Sequence, residues 1–276
     1  MLAPFSRPTT AGYPCHAAFL MPTFSDLAIP VMLLAAGRGE RMRPLTDHTP
    51  KPLLEVHGKS LLQWRLEALR RDGTGPVCIN TAWLGEQIEA ALGSELQAAD
   101  PSQRPLALHY SHEGRDFGQA LETAGGIARA LEHLGQVFWV MAGDVYAPDF
   151  VFAQQAVARF QASTQLAHIW LVPNPEHNPA GDFAWDPVSG LASSPPKEQA
   201  AQRYTYSTIG LFRRELFLPP WCDLPPANPR GQRSGLAPLL RLAMAQDKVS
   251  AALYTGAWTD VGTPQRLAQL NATARA

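Results

Sequence analysis

Residues 31–53 read Val31-Met-Leu-Leu-Ala-Ala-Gly37-Arg-Gly39-Glu-Arg41-Met-Arg-Pro44-Leu-Thr-Asp-His-Thr-Pro50-Lys51-Pro52-Leu53. Side chains that could do chemistry are crowded into this stretch. Gly37 and Gly39 allow a tight turn whose backbone N–H groups can approach an anion. Arg41 and Lys51 place positive charge beside those donors, and the prolines flanking Lys51 stiffen its backbone. The apolar run before the glycines predicts a buried strand. Together these features describe a triphosphate cradle at the carboxyl end of a first strand. Two glycines alone would fit an ordinary turn equally well. The common glycine-loop motifs are excluded: no Gly-Lys-Ser/Thr follows Gly39, and Met42 stands where a dinucleotide fingerprint needs a third small residue.

A triphosphate held by cations needs a divalent metal, and magnesium takes carboxylate oxygens while keeping several waters. Asp144 follows the apolar run Phe138-Trp-Val-Met-Ala-Gly143. It therefore sits where a buried strand ends, the side on which open α/β sheets bind ligands. A turn aspartate would occupy the same place.

The elements that must position these groups alternate between strand-like and helix-like stretches, the pattern of an α/β, Rossmann-like, mostly parallel mixed sheet flanked by helices. Strands are expected at Val31–Ala35, Val77–Asn80, Leu106–Tyr110, Val137–Ala142, Ala167–Val172, Tyr204–Phe212, Val249–Tyr254 and Trp258–Val261. Helices are expected at Ser60–Arg71, Leu84–Leu92, Thr123–Leu134, Phe150–Gln161, Leu236–Ala245 and Pro264–Leu270. Residues 173–203 read as loops with short strands. Trp83, Trp139, Trp170 and Trp258 are expected to fill core, and the histidines offer no i,i+4 metal pair.

The chain has 276 residues, is 46% hydrophobic and carries a net charge of −1. That composition supports a large core and gives no basic surface for nucleic acid or an anionic membrane. The three cysteines, Cys15, Cys78 and Cys222, are too widely spaced for a metal motif and fit a reducing cytoplasm. No apolar run approaches the ~20 residues of a membrane helix. Residues 1–29 are proline-rich and without period, so they are expected to be a disordered extension or to precede a true start at Met21 or Met32. Residues 30–276 then form one catalytic domain.

The string Leu-Ala-Ala-Gly37-Arg-Gly39-Glu-Arg41-Met-Arg-Pro44-Leu-Thr46, followed by Pro50-Lys51-Pro52, resembles the signature of the sugar-phosphate nucleotidyltransferases. The resemblance implies that Ala35, Ala36, Gly37, Gly39, Glu40, Arg41 and Lys51 line the nucleotide. Arg41 would hold the departing β,γ-phosphates, and Lys51 would neutralise oxygens around the α-phosphate. It also implies that Asn80 lies near the nucleotide, and that Glu113-Gly114 and Leu121-Glu122-Thr-Ala-Gly125-Gly126 run along the base, Glu122 and Gly125 binding the nucleotide and the glycines allowing close approach to a flat ring. Gly143-Asp144 matches the family's first Mg²⁺ ligand and Asp260, in Trp258-Thr-Asp-Val-Gly262-Thr-Pro264, its second. A capping or turn role would also suit Asp260.

A sugar 1-phosphate is nearly doubly charged at pH 7, since its second pKa is about 6. It is a ready nucleophile and needs no general base. Arg41, Lys51 and Asp144 are therefore the expected catalytic set, working by positioning and electrostatics.

Within the family, Ala82-Trp83-Leu84-Gly85, Asn174, Gly181-Asp182-Phe183 and Ala237-Pro-Leu-Leu240 resemble the N-acetylmuramate 1-phosphate uridylyltransferases of peptidoglycan recycling. The implied substrates are UTP and that sugar phosphate, with Ala142, Gly143, Asn174, Gly181, Asp182 and Thr208 around the sugar. Ala142 stands where this subfamily often has Asn, and residues 115–120 lengthen a loop. GTP with mannose 1-phosphate, or UTP or dTTP with glucose 1-phosphate, are alternatives. An inactive nucleotide-binding regulator is another, as is a cytidylyltransferase or molybdenum-cofactor-type nucleotidyltransferase, and a monomer or small homo-oligomer is expected.

Overall fold

The computed structural model describes residues 28–97, 105–196 and 202–273. The expectations for the N-terminal extension fall almost wholly on residues 1–27, outside the described residues.

In chain order the elements are β1 Val31–Leu34, β2 Glu55–Val56, β3 Lys59–Ser60, α1 Leu61–Arg71, β4 Val77–Thr81, α2 Gly85–Leu92, β5 Glu95–Leu96 and β6 Leu106–His112. Then come α3 Glu113–Phe117, α4 Glu122–Ala130, β7 Val137–Ala142, β8 Val145–Tyr146, α5 Gln154–Ala162, β9 Ala167–Val172, β10 Phe183–Trp185 and β11 Ala192–Ser193. The last are β12 Arg203–Arg213, α6 Leu236–Met244, β13 Val249–Leu253, β14 Thr259–Asp260 and α7 Pro264–Ala272.

Strands β7, β1, β4 and β6 run parallel side by side. The apolar sequences of β1 and β7 suit strands covered on both faces, whereas β6 alternates, with Ala107 and His109 exposed. The long β12 lies antiparallel to β7 and to β9, and β9 is parallel to β13. The first half of β12 carries the antiparallel wing β10–β11. One core face packs α4 and α6 against Phe138, Val140, Ile169 and Phe212. The other packs α1 and α5 against Val31, Leu33, Trp139 and Met141. The expected mixed, mostly parallel sheet in a single domain is the architecture found.

Several boundaries differ for local physical reasons. Strand β1 stops at Leu34, and the next N–H, that of Ala35, donates to the side chain of Asn80 at 2.8 Å. The helix expected from Phe150 begins only at Gln154; Phe150 and Phe152 are buried against Trp139 before it starts. The helix expected to reach Leu134 gives way after Ala130 to a 3₁₀ turn, Leu131–His133. Trp83 is only half-buried and is no core residue. The two-residue strands β2, β3, β5 and β8 carried no readable sequence period.

The pairing that matters most for the site is among the shortest. Strands β8 and β14 form an antiparallel ribbon with Val145 opposite Asp260 and Tyr146 opposite Thr259. The Val261 N–H donates to the Asp144 carbonyl at 3.1 Å.

Candidate active site

A cavity of about 680 Å³ opens at the carboxyl ends of β1, β4 and β7. Its wall includes Ala35, Ala36, Gly37, Lys51, Asn80, Glu122, Ala142, Asp144, Asp182 and Thr208. A second recess of about 340 Å³ adjoins it at Asp144, Tyr206 and Thr208, and contains Asp260. Residues far apart in the sequence are thus brought to one continuous depression.

The floor is set by a relay of hydrogen bonds. Asn80 accepts from the Ala35 N–H at 2.8 Å and donates through Nδ2 to Glu113 Oε1 at 2.7 Å. Glu113 Oε2 accepts from the Leu121 N–H at 2.7 Å. Glu113 is 0% exposed. Burial pushes its carboxyl above the usual carboxylate range, although both donors and Arg129 pull the other way. Asn80 and the Glu113-Gly114 segment are expected beside the nucleotide, and Asn80 and Glu113 both border the cavity; that Glu113 is sealed off is not foreseen, because a glutamate at a strand's end carries no signal of full burial. Gly126 is required here, since a Cβ would lie 2.5 Å from Glu113 Oε1. A Cβ on Gly125 would meet the Gln232 carbonyl at 2.6 Å. Both glycines therefore serve close packing within the protein, and Gly125 lies behind the cavity wall.

The basic loop is pinned from two sides. Gly39 has φ +66°, a left-handed conformation, and a Cβ there would crowd Thr46 Cγ2 at 3.0 Å and Lys51 Cβ at 3.1 Å. Thr46 donates its hydroxyl to the Gly39 carbonyl at 2.8 Å. The Trp83 indole N–H and Arg38 Nη1 both donate to the Thr46 carbonyl, at 2.9 and 3.1 Å. The Arg38 guanidinium lies 3.3 Å from the Trp83 ring centroid, a cation–π stack. Glu40 and Arg41 form a short 3₁₀ turn with Met42. Glu40 and Arg41 are exposed and stand with Gly39 outside the cavity wall.

Lys51 reaches the acidic side. It is 7% exposed, and its ammonium donates to Asp144 Oδ2 and lies 4.0 Å from Asp260 Oδ1. Beneath them Arg65, also buried, donates to the Val145 carbonyl at 2.5 Å and to the Ala147 carbonyl at 3.3 Å. Burial lowers its guanidinium to about 10. Arg266 Nη1 donates to Asp260 Oδ2 at 2.8 Å, and His177 Nε2 is 3.4 Å from that same oxygen. Both aspartates are legible in the sequence; Arg65, His177 and Arg266 carry no signal there, because only the fold brings them to their partners.

On the remaining side Asp182 accepts from the Tyr206 N–H at 2.8 Å and faces the cavity. Thr208 has φ +64° within the irregular register of β12, and its buried hydroxyl has no partner among the described residues. Asn174 instead donates to the Pro179 and Arg203 carbonyls and accepts from Thr205, holding its own loop. Gly181 has φ +63°, and a Cβ there would lie 2.9 Å from Arg203; a Cβ on Gly143 would press on the Leu34 carbonyl at 3.0 Å. Asn174, Gly143 and Gly181 shape the wall from behind.

The family model for nucleotidyl transferases matches residues 30–276. The chain belongs to this nucleotidyl transferase family. One relative of this nucleotidyl transferase, the N-acetylmuramate alpha-1-phosphate uridylyltransferase of Neisseria meningitidis serogroup B, is 45% identical over 247 residues, 89% of this chain and 98% of the relative. The mannose-1-phosphate guanylyltransferase catalytic subunit beta of Xenopus tropicalis is 26% identical, over 85% of this chain and 61% of its own. Among solved structures, a Bacillus anthracis protein in complex with sucrose superposes with TM-score 0.69 at 20% identity, covering 89% of this chain and 94% of that one. HddC from Yersinia pseudotuberculosis complexed with GMP-PN gives 0.61 at 17%, covering 88% and 98%. These two show that the nucleotidyl transferase fold is shared.

Proposed function

We propose that this nucleotidyl transferase joins UTP to N-acetylmuramate 1-phosphate, releasing pyrophosphate and a UDP-sugar, as a step of peptidoglycan recycling. The observation that carries the chemistry is the Lys51 ammonium between Asp144 and Asp260, beside the cavity that the glycine loop walls. The relative that is matched over 98% of its length supports the choice of substrates.

The donor set fits magnesium. Two carboxylates meet at one point, and no third His, Cys, Asp or Glu completes a cage among the described residues. Magnesium is commonly held by one or two carboxylates, with water and substrate phosphate supplying the rest. Asp144 and Asp260 would hold it, and when bound it offsets phosphate charge and aligns both substrates.

The chain's own groups do the rest. An oxygen of the sugar phosphate attacks the α-phosphorus in line, the bond from that phosphorus to the β-phosphate bridging oxygen breaks, and pyrophosphate leaves with inversion. No proton is taken from the nucleophile, so no base is required. Lys51 neutralises charge on the α-phosphate, and Arg41 from the rim holds the departing phosphates. Asn80 fixes the Ala35 amide under the nucleotide, while Asp182 and Thr208 face the sugar.

A substrate panel tests this reading. Pyrophosphate release is measured with UTP, GTP, dTTP and CTP against N-acetylmuramate, glucose and mannose 1-phosphates. The expected result is the highest kcat/KM with UTP and the muramate. Faster turnover of GTP with mannose 1-phosphate would overturn it.

A further inference from the structure

Asp260 is gripped on the side away from Lys51. A single nitrogen, Arg266 Nη1, donates both to Asp260 Oδ2 at 2.8 Å and to the Asp260 carbonyl at 2.7 Å. His177 Nε2 lies 3.2 Å from that nitrogen and 3.4 Å from the carboxylate oxygen. Arg266 is itself in the first turn of α7, where its N–H donates to the capping Thr263 hydroxyl. The fold-back needs Gly262: a Cβ there would sit 2.9 Å from Arg266 Nη2 and 3.1 Å from Asp260 Oδ2. The stretch from Asp260 to Arg266 thus forms a closed turn around one carboxylate, leaving Oδ1 toward Lys51. His177 comes from the loop that also bears Asn178, whose amide donates to Asp182 at the cavity wall.

Groups that fix the orientation of a metal-binding carboxylate commonly change metal affinity 10–100-fold when removed. We propose that Arg266, braced by His177 and admitted by Gly262, is a positioning residue that aims the Asp260 carboxylate at the divalent ion. The inference rests on the reading of Asp260 as a metal ligand. It makes the sugar-side loop and the metal-side carboxylate one connected unit, joined at His177.

Electron paramagnetic resonance of Mn²⁺ tests it. Mn²⁺ is titrated into the whole protein in the presence of α,β-methylene UTP, with a protein-free titration subtracted. Asp260→Ala is expected to lose the protein-dependent uptake. Arg266→Ala is expected to weaken it about 10–100-fold, and Arg266→Lys to restore part of the loss. Thermal melting without metal keeps a folding defect apart from an orienting one, and the Lys variant serves if Ala unfolds. Uptake unchanged in Asp260→Ala, or absent in the unaltered protein, would overturn the metal-site reading itself. Uptake lost in Asp260→Ala but unchanged in folded Arg266→Ala or Arg266→Lys would overturn only the present inference.

Discussion

Replacing Lys51 by alanine would leave Asp144 and Asp260 with no ammonium between them and the α-phosphate without its cation. A donor aimed at developing charge in a water-poor site is worth about 3–4 kcal/mol, so kcat is expected to fall on the order of 100–1,000-fold. Single-turnover pyrophosphate release, with circular dichroism to confirm folding, checks this. Lys51 and Asp144 were legible because charge beside glycines, or at the end of an apolar run, is itself a signal. The burial of Glu113 was not. Its partners are Asn80 and the Leu121 amide, and nothing in the residue type says that a glutamate will be sealed among donors. Replacing it with Gln would turn an –NH₂ against one of those two donors, at an expected cost of about 1–3 kcal/mol. Urea unfolding of Glu113→Gln measures that cost.

At the scale of elements, the basic loop owes its shape to a neighbour from another strand's end. Gly39→Ala would force a side chain into a left-handed conformation and against Thr46 and Lys51. The expected loss is about 1–2 kcal/mol from the backbone alone, together with a raised KM for the nucleotide; denaturant midpoints and initial rates report the two. The glycine spacing showed that the loop must turn, but not that Trp83 and Arg38 would close it, since stacking depends on where the segment after β4 arrives.

Strand β9 carries a different sensitivity. His168 accepts or shares a proton with Ser250 on β13 at 2.8 Å, and burial lowers its imidazole from 6.5 to about 4. The folded state therefore prefers the neutral ring. That preference is fully present above pH 6.5 and is lost as pH falls from there toward 4, on the order of 3 kcal/mol in all. Urea midpoints at pH 7 and pH 4.5 are expected to fall further in the unaltered protein than in His168→Gln.

For the whole molecule, binding that favours the folded chain raises its melting temperature. A nucleotide at 100 times its Kd adds about 2.7 kcal/mol, equivalent to roughly 5–10 °C at this size. UTP with Mg²⁺ is expected to give such a shift in differential scanning fluorimetry, and GTP at equal concentration a much smaller one. The central architecture was readable because β1 and β7 are apolar throughout, β4 opens on Val-Cys-Ile, and the helices between them are amphipathic. The pairing of β8 with β14 was not: a strand was expected at Trp258–Val261, but the two-residue β8 has no period, and the pairing is decided by the rest of the sheet. If Asp260 holds the metal as proposed, that ribbon decides when the protein becomes competent. A growing polypeptide acquires its basic loop and Asp144 long before Asp260 has been translated. On the proposed role of Asp260, catalysis must wait for Thr259–Asp260 to zip onto Val145–Tyr146, and a ribosome that stops short of that strand releases a product lacking the proposed second acid.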